Sequence, residues 1–435
     1  MGPSRMWTVA ALAMAMAGCG GGDGGDDGTS ARGGLVEPPA LVASFTAAQI
    51  DDLTAAAGTQ VLTGKARCDV SLYGLNYRTV GVRGEPTNAS GVLLLPAGAC
   101  RTSAPLVAYS KGTDVVKPRT LANPADAETR FLVSMYAAQG YALVASDMLG
   151  FAKSSYGFHP YLHADSEASS NIDAIRAARR AARDLDRPLS GKLLLTGYSQ
   201  GGHTSMATQR AIERDFPAEF DLVAGAHLAG PYNLSTVVRQ DLAVAGSQVT
   251  LPYMVTAFQK VYGDIYGKPS DVFKAPYADT IADLLPSPTM TLATLVGSGA
   301  VPSGTPEMVK AALLRDDFRD SLRNDPRNPL YLNARKNDLL DWTPKAPMLM
   351  CGGSGDPTIP FAVHQETAAT AFRARGYAGL TSVDVDPQVQ AAFGIGGKAP
   401  QPGDAAYPVY VGSYHAQYAG AFCHPMARAF LDRFR

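Results

Sequence analysis

The chain has 435 residues, 46% of them hydrophobic and 18% charged, and a formal net charge of −1. That is the composition of a globular protein with a substantial core, long enough for one large domain or two small ones. Near-neutral charge, with no Lys/Arg cluster outside one helix, leaves no electrostatic footprint for nucleic acid or an acidic partner. An uncharged ligand is the expectation.

Arg5 and the apolar run Met6 to Ala17, too short to span a bilayer, predict a signal peptide over residues 1–18. The run ends in Met16-Ala17-Gly18-Cys19, which resembles a bacterial lipobox. On that reading Cys19 is lipidated, its lipid is the sole membrane attachment, and the protein is exported to the cell envelope (outer membrane or periplasm). Simple cleavage and secretion is the alternative. The Gly/Asp stretch from Gly20 to Gly28 predicts a flexible tether over residues 19–40. Setting Cys19 aside leaves Cys68, Cys100, Cys351 and Cys423, with no two at metal-ligand spacing. In an exported chain these predict disulfides, and the pairs Cys68–Cys100 and Cys351–Cys423 are expected among the three connectivities that four cysteines allow.

From about residue 70, short apolar runs alternate with helical patterns. Leu72 to Val82 and Ala89 to Leu95 predict an antiparallel pair around the turn-rich Arg83 to Asn88. Pro105 to Tyr109, Tyr141 to Ser146, Lys192 to Thr196 and Leu222 to Leu228 are continuous apolar runs, as in strands buried on both faces of a mainly parallel sheet. Ala168 to Leu185 predicts a helix whose Arg176, Arg179, Arg180 and Arg183 form a solvated basic face. The alternation stops near Gly230-Pro231-Tyr232 and resumes at Pro347 to Cys351. The organisation expected is an α/β core over residues 41–230, a helical cap inserted over 231–340, and the rest of the core over 341–435; a separate domain for the insertion is the alternative.

The sharpest chemical signal is Gly197-Tyr198-Ser199-Gln200-Gly201-Gly202, directly after Leu193 to Thr196. A G-x-S-x-G sequence between a buried strand and a helix describes a nucleophile elbow, with the serine on a sharp, strained turn and glycines where side chains would collide. The serine needs a base, and the base an orienting acid, in the chain order Ser, Asp, His. Asp356, in the loop after the strand ending at Cys351, fits the acid. Asp338 and Asp341 precede that strand, and Asp384 and Asp386 are weaker rivals in a strand-like run. Of the seven histidines, order and position leave His415 and His424. Tyr407 to Gly412 resembles a last strand with His415 in the loop behind it, whereas His424 falls in a terminal helix, so His415 is expected as the base. The oxyanion hole requires two backbone N–H groups: Gln200, following the nucleophile, and Thr113 in Tyr109-Ser110-Lys111-Gly112-Thr113, with Gly112 as the alternative.

On these motifs, with Asp147-Met148-Leu149-Gly150 and Gly355-Asp356-Pro357-Thr358-Ile359-Pro360, the chain resembles the α/β-hydrolase superfamily, specifically its secretory-lipase branch. The elbow wording Gly-Tyr-Ser-Gln-Gly also resembles cutinases. The resemblance implies an α/β-hydrolase fold and a serine carboxylic-ester hydrolase that needs no cofactor or metal, acting on small-molecule, lipid or polyester esters. A peptidase or amidase on the same fold, and a non-catalytic binding lipoprotein, are the other readings.

Overall fold

The computed structural model describes residues 31–435; the expected signal peptide, Cys19 and the start of the tether lie outside them. Nine strands form one sheet: β1 (Ala40–Phe45), β2 (Asp69–Val80), β3 (Pro86–Ala97), β4 (Ala104–Ser110), β5 (Ala142–Ser146), β6 (Leu189–Tyr198), β7 (Asp221–Leu228), β8 (Met348–Gly352) and β9 (Leu380–Asp384). Their order is β1-β2-β3-β5-β4-β6-β7-β8-β9, with the pairs from β5–β4 through β8–β9 parallel and the first three pairs antiparallel. This is the mostly parallel sheet with helices on both faces that the α/β-hydrolase resemblance implied.

The continuous apolar runs are explained by burial on both sides. In β6, Leu193 and Leu195 pack on one face with the helices Ala164–Asp184 and Gln200–Asp215, while Leu194 packs on the other with Ala127–Met135 and Ala419–Leu431. Alanines along Ala164–Asp184 let that helix lie close to the sheet, and its buried Asp173 accepts from Thr79 Oγ1 at 2.7 Å, Arg32 Nε at 3.0 Å and Arg176 Nη1 at 2.8 Å. Arg176 also grips Glu219, so the basic face is tied to its neighbours as well as solvated.

Within residues 31–40, expected as the end of a tether, residues 33–35 instead pack on the core. Gly33 N donates to Arg78 O and Val36 N to Asn76 O, both at 2.8 Å, and Leu35 is buried beside Tyr77. Burial of Leu35 and the anchoring of Arg32 on Asp173 outweigh the Gly/Pro composition there. Tyr407 to Gly412 also departs from expectation: it is the helix Tyr407–Ser413, not a strand. Its aromatic and β-branched residues suggest period two, but Pro408 opens a helix and the buried residues are Tyr410 and Tyr414, four apart.

Between β7 and β8 lies the helical insertion. Helices such as Ser247–Tyr262, Pro306–Leu313 and Pro329–Lys336 enclose their own apolar cluster, including Val255, Phe258, Leu313 and Leu330. The disulfides are Cys68–Cys100 and Cys351–Cys423, as expected, and such bonds belong to chains that fold in an oxidising compartment. The second joins β8 to the C-terminal helix across 72 residues. In the chain-entropy account a loop of that length contributes roughly 4 kcal/mol. Replacing Cys351 and Cys423 by Ala should therefore lower the urea-unfolding free energy by roughly that amount; an unchanged midpoint would show that the cross-link does not constrain the unfolded chain.

Candidate active site

The site begins where β6 turns into the helix Gln200–Asp215. Ser199, between them, has φ 60° and ψ −123°, a left-handed conformation that a side chain adopts only under constraint. The constraint is visible. Ser199 N donates to Leu228 O at 3.0 Å, and the turn is so close to β4 that a Cβ on Gly201 would collide with Ser110 O, while one on Gly197 would collide with Gly201 O.

Asp356 follows β8. Its Oδ1 accepts from Thr358 N at 2.8 Å and Ile359 N at 3.0 Å, which fixes the carboxylate and leaves Oδ2 facing His415 Nδ1 at 2.7 Å. His415 Nε2 lies 2.8 Å from Ser199 Oγ. With Nδ1–H directed at the carboxylate, the Nε2 lone pair is the one available to the serine hydroxyl. Such a chain can withdraw a proton from Oγ as that oxygen attacks an electrophile. His415 is held not by a loop but by a π-helical turn, Tyr414–Tyr418, between two helices. Tyr198, the elbow residue, donates from Oη to His415 O at 2.6 Å, and its ring centroid lies 5.2 Å from that of His415, tilted by 35°. His424, the rival, packs against Phe131 and Tyr198 and makes no contact of this kind with Asp356. Asp384 caps Ser354 N and Asp386 takes the Tyr414 hydroxyl, so both support the acid loop rather than His415.

Gln200 opens the helix, so its N–H is one of the amides that no intrahelical carbonyl reaches. Its side chain is tied down beneath the elbow: Nε2 donates to Glu167 Oε1 at 2.6 Å and meets His159 Nε2 at 2.8 Å. Glu167 is buried and also takes His203 Nδ1, Thr204 Oγ1 and Leu162 N. Burial pushes its carboxyl up, but His203 and Gln200 more than offset that, and it lies below its ordinary value. Burial likewise takes His159 down to about 4, leaving it neutral and able to accept from Gln200. Opposite, Lys111 is buried with Nζ 2.9 Å from Asp114 Oδ2 and 4.0 Å from the Phe151 ring centroid. Asp114 also binds Val116 N and Arg119, so the Gly112–Thr113 loop stands on an ion-pair network. Gly112 lies close to the elbow: a Cβ there would be in van der Waals contact with Tyr198 O at 3.5 Å.

Neither Glu167 nor Asp114 was singled out from sequence. Glu167 does fall on the buried stripe with Ala164, Ala168 and Asn171, and an acid on an apolar helix face is the signal that finds it. Of the other histidines, His364 accepts from Asn233 N at 3.1 Å and His227 bonds Ser205 and Gln209; burial takes both down to about 3. A cavity of about 100 Å³ runs from Ser199, Gln200 and Thr113 under the cap to Leu251, Met254 and Leu330. Residues of the insertion therefore form much of the wall over this site.

No protein-family model and no curated protein sequence matches the chain. Among solved structures, the rice cell wall degrading esterase LipA from Xanthomonas oryzae aligns at 34% identity with a TM-score of 0.81, covering 93% of this chain and all of its own. The chain belongs to this esterase family of α/β-hydrolases. It is a carboxylic ester hydrolase. A Legionella pneumophila protein (20% identity, TM-score 0.74, 92% of this chain and 98% of that one) and Candida antarctica lipase A (17%, 0.59, 82% and 77%) share the fold.

In this esterase, the Glu167 network is expected to hold the Gln200 amide. Glu167→Gln should lower kcat on p-nitrophenyl butyrate by about tenfold or more, with KM little changed, while a folded protein remains; loss of one acceptor among four donors costs about 1–3 kcal/mol. A lowered melting temperature with wild-type kcat would assign Glu167 to stability alone.

Proposed function

We propose that the enzyme works through an acyl-enzyme on Ser199, with His415 as base and then acid, and Asp356 as the group that orients it. The observation carrying this reading is the unbroken line from Ser199 Oγ to His415 Nε2 (2.8 Å) and from His415 Nδ1 to Asp356 Oδ2 (2.7 Å). Ser199 Oγ attacks the ester carbonyl and its proton passes to His415. The developing oxyanion is met by the N–H groups of Gln200 and Thr113. As the carbon–oxygen bond to the alcohol breaks, His415 protonates the leaving oxygen, and water then reverses the sequence to release the acid. No step calls for a metal or cofactor.

Ser199→Ala, Asp356→Asn and His415→Ala should each lower kcat by at least roughly 1000-fold, and the triple variant should be little worse than the single ones, because the three act as a unit. An inactive His424→Ala protein beside an active His415→Ala protein would contradict the assignment.

The acyl group is placed in the cavity beneath the cap, whose wall carries Leu234, Val238, Leu251, Met254 and Leu330 around very little polar surface. A small, mainly apolar cavity lined by cap residues suits a discrete acyl chain better than an extended polyester, which favours a small or lipid ester over the cutinase-like reading. Each methylene accommodated there is worth about 1–3 kcal/mol of discrimination. Leu251→Trp and Met254→Trp should reduce the ratio of kcat/KM for p-nitrophenyl octanoate to that for the acetate at least tenfold. An unchanged ratio would remove the acyl chain from this cavity.

Residues 1–18 are proposed to export the chain and Cys19 to carry its lipid anchor; the two disulfides support the export. LipA is described as degrading rice cell wall; esters attached to such material are within reach of a tethered envelope enzyme.

A further inference from the structure

Thr113 lines a second cavity as well, of about 340 Å³, whose wall includes Tyr109, Glu128, Tyr198, Gln417 and His424. We propose that this cavity is the subsite for the alcohol half of the ester, and that it selects an alcohol carrying further hydroxyl groups. The inference rests on the Ser199–His415 reading above.

The location follows from the proton. The alcohol oxygen leaves only as it takes a proton from His415 Nε2, so the alcohol must sit on the His415 side of Ser199. The second cavity is walled by the chain that continues directly from His415, through Ala416 and Gln417 to Gly420, Ala421 and His424. The cap cavity is walled instead by Gln200 and by Thr358 and Ile359 of the acid loop. Gly112, also on the second cavity's wall, approaches the nucleophile so closely that a Cβ there would lie 3.8 Å from Ser199 Cβ.

The chemistry follows from Glu128. Its Oε1 accepts from Tyr109 Oη at 2.9 Å and its Oε2 from Arg119 Nη2 at 2.8 Å. A carboxylate has about four acceptor positions, so capacity remains for a guest hydroxyl. The Arg119 guanidinium, shared with Asp114 and Asp126, offsets part of its charge, so the cavity offers hydrogen-bond acceptance with a residual negative field. His424, on the same wall, is 8% exposed, with its Nδ1 enclosed by protein. Burial takes its ring down to about 4, so it lines the cavity uncharged. A purely alkyl guest would leave the free acceptor positions of Glu128 unanswered.

The test crosses the two halves of the substrate at constant acyl group. With wild-type enzyme, kcat/KM for 1-butyrylglycerol should exceed that for n-pentyl butyrate, its apolar match in size, at least tenfold. In Glu128→Gln and in Ala421→Trp, which fills the cavity without touching the Arg119 network, the ratio for 1-butyrylglycerol over methyl butyrate should fall at least fivefold. The ratio for methyl octanoate over methyl butyrate should stay within twofold of wild type. Equal wild-type rates on the glyceryl and pentyl esters would overturn the hydroxyl preference, and faster hydrolysis of butyrylcholine than of 1-butyrylglycerol would replace it by a cation site. A plugged variant with wild-type alcohol ratios would overturn the location. Failure to cleave any ester would instead overturn the reading of Ser199 and His415.

Discussion

The structure depends on how closely the strand-to-helix turn at Ser199 can approach β4. The turn holds a serine at φ 60° because Gly197 and Gly201 bring backbone against backbone where any Cβ would collide with a carbonyl oxygen. That approach fixes three relationships together. It lifts Oγ above the end of the sheet, sets the first helix amide at Gln200 beside it, and brings Gly112 and Thr113 of the β4 loop against the same point. Strain of this kind costs on the order of 1–3 kcal/mol and persists only where its surroundings over-determine it.

Here the surroundings do so with buried charge. Beneath Gln200, Glu167 gathers donors from His203, Thr204, Leu162 and Gln200 itself. Beneath Gly112–Thr113, Lys111 and Arg119 meet Asp114, with Asp126 and Glu128 further along. Isolated charges in such places would be strongly unfavourable, but each carboxylate is met by hydrogen-bond donors, and networks satisfied in this way rigidify what they hold. On the third side, Tyr198 and the Cys351–Cys423 bond tie the turn that carries His415 to the elbow and to the strand that leads into Asp356. Two cavities then meet this fixed point at Thr113, one apolar under the cap and one lined by aromatic and polar groups beside the C-terminal helix.

Much of this was legible in the sequence because the steric demands are local. The glycines around Ser199, the loop after Cys351 and the chain order Ser, Asp, His carry their meaning in a few residues each. What escaped was whatever depends on distant partners or on a misleading period. Tyr407 to Gly412 has the composition of a strand, yet the sheet is already complete at β9 and only Tyr410 and Tyr414 need burial, so a helix forms and His415 lies in its widened last turn. Residues 31–40 look too glycine- and proline-rich to pack, but Arg32 has Asp173 waiting more than a hundred residues away. Glu167 looks like a helix-start acid until the fold brings Gln200 and His203 over it.

The central claim is that Ser199, activated by His415, is the group that the ester acylates. A p-nitrophenyl alkylphosphonate, which mimics the tetrahedral state and cannot be turned over, tests it directly through intact-mass and peptide mass spectrometry. The account predicts release of one p-nitrophenolate per chain, an adduct on the peptide containing Ser199, and labelling slowed at least a hundredfold in His415→Ala. An adduct on any other residue, or labelling of His415→Ala at the wild-type rate, would contradict it.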